Sequence, residues 1–163
     1  MRVLFLDIDG VLNSQTWFEF QRYPVVELTN RIDPEAALRV NRITQRTGAT
    51  LILSSNWVYD TTAGMENTVS ALRARGIKAP IQGHTVRKMS LYCRAEEIRM
   101  TLGSMREAGQ EVESFVILED EERLPNLSEW TVRTQWATGL QDEHVDLAVR
   151  ILQRPWDGTF KDT

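Results

Sequence analysis

Two aspartates one residue apart, Asp7 and Asp9, end a short apolar run, Val3-Leu4-Phe5-Leu6, and Gly10 follows them. If the chain is extended there, i and i+2 share a face. Two carboxylates held together repel, and burying them unpaired is costly. A nearby cation relieves both problems, and hard oxygen ligands suit Mg2+. The same residues also fit a plain turn, with Asp capping backbone amides and Gly10 at positive φ.

Two further polar groups follow apolar runs of the same kind. Ser54-Ser55-Asn56 comes after Thr50-Leu51-Ile52-Leu53, and Glu119-Asp120 comes after Phe115-Val116-Ile117-Leu118. Such runs read as fully buried strands of a parallel sheet. Ligands in these sheets bind beyond the carboxyl ends of the strands, so three strand ends would offer their polar groups to one crevice.

The elements between them support this arrangement. Asp33-Pro34-Glu35 is a helix start, with Asp as cap, Pro in the first turn and Glu at the positive end of the dipole. Gly48 closes that helix. Further helices are expected over about Gly64–Arg75, from Ser90 or Cys93 to Glu107, and over His144–Gln153. Short strands are expected at Ile77–Ile81 and Trp130–Arg133. Alternating strands and helices predict an α/β fold, a doubly wound parallel sheet of about five strands with helices on both faces. Residues 14–31 show no clean period but hold Trp17, Phe18, Phe20 and Tyr23, as would either a flap over the site or an ordered loop whose aromatics dock on the core. Residues 1–155 read as one domain carrying this small aromatic flap, about 14–32, and 156–163 as a polar tail prone to fray.

The chain has 163 residues, a net charge of −4 and a single cysteine, Cys93. This balance argues against a generally basic nucleic-acid surface. One cysteine allows no intrachain disulfide and suits a reducing, cytoplasmic setting. Two histidines, His84 and His144, are too few for a zinc site. No apolar run approaches the roughly 18 residues of a membrane span, and no obligate protein partner is evident.

In order and type, these motifs resemble the haloacid dehalogenase (HAD) superfamily of phosphohydrolases. Asp7-Ile8-Asp9-Gly10-Val11 is similar to its first motif, Ser54 to its second, and Asp120 with Glu119 to its acidic fourth. Phe5 to Asn13, Leu51 to Trp57 and Arg94-Ala95-Glu96-Glu97-Ile98 resemble the small HAD domains of Swiss Army Knife RNA-repair proteins. The resemblance implies Asp7 as nucleophile, forming an aspartyl-phosphate. It implies Asp9 as the acid that protonates the leaving oxygen and then activates water. Mg2+ would be held by Asp7, the Asp9 carbonyl and Asp120, with Glu119 reaching it through water or orienting Ser54 or the basic residue. Ser54, with amides near Gly10 and Ser55, would bind phosphoryl oxygens, and Asn56 would fix the adjoining loop. The cation offsetting phosphate charge is Arg94 or Lys88, with Arg87 a third candidate.

No large cap domain is expected; only residues 14–32 and 57–63 would cover the site. An open crevice admits large phosphorylated substrates, and flap aromatics such as Trp17 and Tyr23 would stack a base. A nucleotide or a polynucleotide 3′- or 5′-phosphate end is therefore the favoured substrate. The alternatives are a phosphatase of small metabolites or phosphoproteins and a non-catalytic HAD-fold phosphate- or metal-binding module. Asp9 disfavours the non-catalytic module, because mere binding needs no second acid. It also disfavours dehalogenation, whose enzymes lack that residue.

Overall fold

The computed structural model describes residues 1–21, 25–60, 63–87, 93–121 and 124–160. Five parallel strands form one sheet: β1 (Arg2–Leu6), β2 (Thr50–Leu53), β3 (Ile81–His84), β4 (Ser114–Glu119) and β5 (Thr131–Arg133). Their order is β3-β2-β1-β4-β5, which makes β1 the centre. Leu6 pairs with Leu53 on one side and Leu118 on the other. The three polar strand ends are therefore neighbours in register. Every β4 residue is buried, as are Val3 to Leu6 of β1, so the sheet centre is the core.

The helices are α1 (Gln15–Gln21), α2 (Pro34–Thr47), α3 (Gly64–Ala74), α4 (Arg94–Glu107) and α5 (Asp142–Leu152). Right-handed crossovers put the β1–β2 and β2–β3 connections on one face and the return to β4 on the other, giving the expected doubly wound α/β class. The side chain of Asp33 accepts from the Glu35 amide at 2.9 Å, and Gly48 ends α2 at φ 70°. Helix α5 packs on α2 and β4, and Arg39 and Arg42 both pair with Asp142. It begins two residues before the expected His144. There the His144 Nδ1 accepts from the Gln141 amide at 2.9 Å, so His144 is part of a helix cap rather than a free surface group.

Three segments differ from expectation. The third strand lies at Ile81–His84 rather than Ile77–Ile81. Pro80 has no amide to give a ladder and offers only its carbonyl, which accepts from the Leu51 amide at 2.8 Å. The preceding turn is held instead by the Arg73 guanidinium on the Ile77 and Ala79 carbonyls. The flap contains the short helix α1, none of whose residues is buried. Its start is fixed by the Ser14 hydroxyl accepting from the Trp17 amide at 3.1 Å. Finally, residues expected to fray are packed: Trp156 and Phe160 lie against Phe115, with ring centroids 5.2 and 6.4 Å apart. No helix among the described residues is long and apolar enough to cross a membrane.

Candidate active site

The sheet ladder runs past the strand ends and places the polar groups. The Asp7 amide donates to the Leu118 carbonyl at 3.1 Å, and the Ser54 amide to the Leu6 carbonyl at 2.8 Å. Asp7 is thereby held between β2 and β4 and is buried. Carboxylate oxygens of Asp7, Glu119 and Asp120 lie within 4.8 Å of one another. Gly10, at φ 74°, lets Asp120 approach: a Cβ there would sit 2.0 Å from its carboxylate oxygen. Glycine is required at this position on both counts.

Asp9 does not join this cluster. Its carboxylate is exposed and is held by the Asn13 amide at 2.8 Å and the Trp57 indole N–H at 3.0 Å. Asn13 also accepts from the Gly10 amide at 3.0 Å, which closes the turn the motif requires. The alternation rule therefore fails after Leu6, because the chain turns at Asp9 instead of extending. The two acids end in different surroundings, one among carboxylates and one beside a cavity of about 520 Å³ lined by Asp9, Asn56, Trp57 and Asp60.

Arg94 opens α4 and is buried, donating to Glu119 at 3.2 Å and Glu97 at 2.9 Å. Glu97 also accepts from Arg87 at 3.2 Å. Arg87 in turn donates to Asn56 at 2.6 Å and covers the Tyr59 ring at 4.0 Å. Asn56 is thus fixed as a loop anchor. Lys88 and Tyr23 lie outside the described residues. Trp17 does not line the cavity; it donates to the Asn30 carbonyl and stacks on Phe20, 5.9 Å between centroids. The Ser54 hydroxyl is fully buried with no hydrogen-bond partner among the described residues. Ser55 caps the following 3-10 turn, its hydroxyl accepting from the Trp57 amide at 3.5 Å.

Glu97 and Thr134 are positioning residues that sequence reasoning did not single out for the site. An acid three residues after Arg94 on a helix was the available signal for Glu97. Thr134, whose hydroxyl donates to the Gly10 carbonyl at 2.7 Å, carries no signal short of the tertiary structure.

The electrostatics show what this site lacks. Asp7, Glu97, Glu119 and Asp120 are four carboxylates, and Arg87 and Arg94 are the two guanidiniums paired into the group. Burial pushes Asp7 up to about 6, with the Arg94 charge pulling the other way. Burial, then the Asp7 charge, pushes Glu119 up to about 9. Burial also raises Asp120. With all four acids ionised two negative charges are uncompensated, which a divalent cation would balance, and an all-oxygen donor set suits Mg2+. The residues present fit such an ion, and Asp7 and Asp120 are best placed to hold it. Glu119 is already engaged by Arg94 and by the amides of Asp120 and Glu121, so it supports the basic residue.

These shifts set a stability prediction. Both acids titrate higher when folded than their ordinary 3.8 and 4.5. The metal-free native state therefore holds protons that the unfolded chain has released. That stabilisation is complete below about pH 4 and is lost as pH rises through about 6 and then about 9. Melting in EDTA should fall between about pH 6 and pH 9. Mg2+ should raise it most at the alkaline end, and Glu119→Gln should flatten the slope. An alkaline slope identical in Glu119→Gln would contradict the assignment.

A central parallel strand ending in a buried aspartate, with acids from the next strand closing round it, defines a HAD-like hydrolase architecture. The chain belongs to the family described as the HAD domain in Swiss Army Knife RNA repair proteins, which matches residues 3–145. It thereby joins a superfamily of hydrolases and phosphatases whose members generally use Mg2+. Comparison with curated proteins and with solved structures found no significant match.

Proposed function

We propose that the protein is a Mg2+-dependent phosphomonoesterase acting through an aspartyl-phosphate on Asp7, with residues 1–155 as its catalytic unit. The observation that carries this reading is the separation of the two acids. Asp7 lies within the Glu119–Asp120 cluster, whereas Asp9 faces the cavity, held by Asn13 and Trp57. One site thus offers a nucleophile and a proton shuttle.

In the first half-reaction an Asp7 oxygen forms a bond to phosphorus as the ester oxygen departs, and Asp9 delivers its proton to that oxygen. In the second, Asp9 takes a proton from water, whose oxygen attacks phosphorus. Phosphate leaves and the Asp7 carboxylate is restored. Ser54 and Ser55, with nearby amides, bind phosphoryl oxygens, and Arg94 offsets their charge. Mg2+ held by Asp7 and Asp120, with the Asp9 carbonyl, supplies charge neutralisation between nucleophile and phosphate when bound.

The favoured substrate is a nucleotide or the phosphorylated end of a polynucleotide, in keeping with the family's description. A screen of nucleotides, 3′- and 5′-phosphorylated oligonucleotides and p-nitrophenyl phosphate, with Mg2+ or with EDTA, tests it. Hydrolysis should occur only with the metal. Asp9→Asn should lower turnover by about 10²–10⁴-fold while phosphate binding persists. Undiminished turnover in that variant would remove Asp9 from the chemistry.

A further inference from the structure

We propose that the cavity beside Asp9 receives the leaving group, and that Arg31 reads a second phosphate carried on it. This rests on the phosphomonoesterase reading. The cavity, about 520 Å³, has the size of a small-molecule site. It opens at Asp9, the group assigned to the leaving oxygen, so what fills it is attached to that oxygen.

Its walls combine two chemistries. Val25, Val26 and Leu28 line it with apolar surface, and Val26 is 87% exposed. Arg31, at the end of the same stretch, holds its guanidinium 5.9 Å over the Trp57 ring. It is exposed and forms no ion pair among the described residues. The acids lining the cavity are engaged elsewhere: Asp9 by Asn13 and Trp57, and Asp60 by the Ala63 amide at 3.0 Å. Arg31 is the one cation among the described lining residues.

A guanidinium offers a planar fork that matches phosphate, and stacking on an indole keeps that fork in place. Exposed apolar side chains beside it suit the face of a base. The occupant these walls fit is a nucleoside bearing a second phosphate. A terminal nucleotide whose phosphodiester continues beyond the hydrolysed phosphate has this chemistry.

The test compares adenosine 3′,5′-bisphosphate with the 3′- and 5′-monophosphates for the wild type, Arg31→Gln and Arg31→Lys, all with Mg2+. The wild type should favour the bisphosphate in kcat/KM. Arg31→Gln should lower that ratio by about tenfold, and Arg31→Lys should recover part of it. A ratio unchanged in Arg31→Gln overturns the Arg31 assignment and leaves the phosphatase reading standing. Equilibrium binding of the same probes separates the opposite case: no hydrolysis, with a binding preference lost in Arg31→Gln, sinks the phosphatase reading and supports Arg31.

Discussion

Asp7→Asn should lower phosphomonoester turnover by at least about three orders of magnitude, while the metal-free protein melts no lower than the wild type. The two expectations share one cause. Asp7 is buried beside Glu119 and Asp120, and its charge is among the influences that raise Glu119. An amide of the same shape keeps the packing and removes one like charge, so the fold tolerates it. The nucleophilic oxygen is lost, and with it the attack on phosphorus. The stabilisation conferred by Mg2+ should shrink as well, since a ligand charge is gone. Paired measurements of turnover and melting, with and without Mg2+, check all three. A variant that unfolds in EDTA would show that Asp7 serves the fold rather than the reaction.

Arg94→Gln should destabilise the protein by about 3 kcal/mol near pH 8, the low end of the cost of breaking a buried ion pair, because Glu97 keeps Arg87 as a second partner. Arg94 and Glu97 are both buried and 2.9 Å apart. Glu119, also bonded to Arg94, can take a proton, because its own titration lies at about 9. The loss should therefore fall mainly on Glu97. The double variant Arg94→Gln/Glu97→Gln should regain much of the stability without regaining activity, because the cation that offsets phosphate charge is still missing. Urea unfolding of the two single variants and the double variant measures the coupling. Additive losses would show that the pair is not coupled.

Much of this fold is written in local patterns. The runs Val3–Leu6, Leu51–Leu53 and Phe115–Leu118 are apolar because both faces of a parallel sheet are covered, and all lie in strands. Asp33 and Gly48 bound α2 through chemistry confined to a few residues. Where the balance is tertiary, the patterns fail. Ile77 and Ala79 look like a strand because they are buried, but they sit in a turn tied down by Arg73 from α3. Helix α1 buries nothing, so no apolar stripe announces it. Trp156 and Phe160 pack across the sheet on Phe115, a contact that local polarity conceals.

The site divides in the same way. Its acids are legible because strand ends in this architecture converge. The turn that sends Asp9 away from Asp7 depends on Asn13 and on Trp57 from the next strand's loop, and strand alternation alone predicts the opposite. The link from Arg94 through Glu97 to Arg87 and Asn56 joins α4 to the loop after β2. Each residue is visible in the sequence, and their connection is not.

The central claim is that the buried acids at the ends of β1 and β4 form a divalent-cation centre for chemistry at Asp7. A diffraction map from crystals soaked in Mg2+ tests it most directly. The account predicts an ion bound by carboxylate oxygens of Asp7 and Asp120, with Arg94 still paired to Glu119. A map from well-diffracting, Mg2+-saturated crystals with no ion between those two aspartates would contradict it.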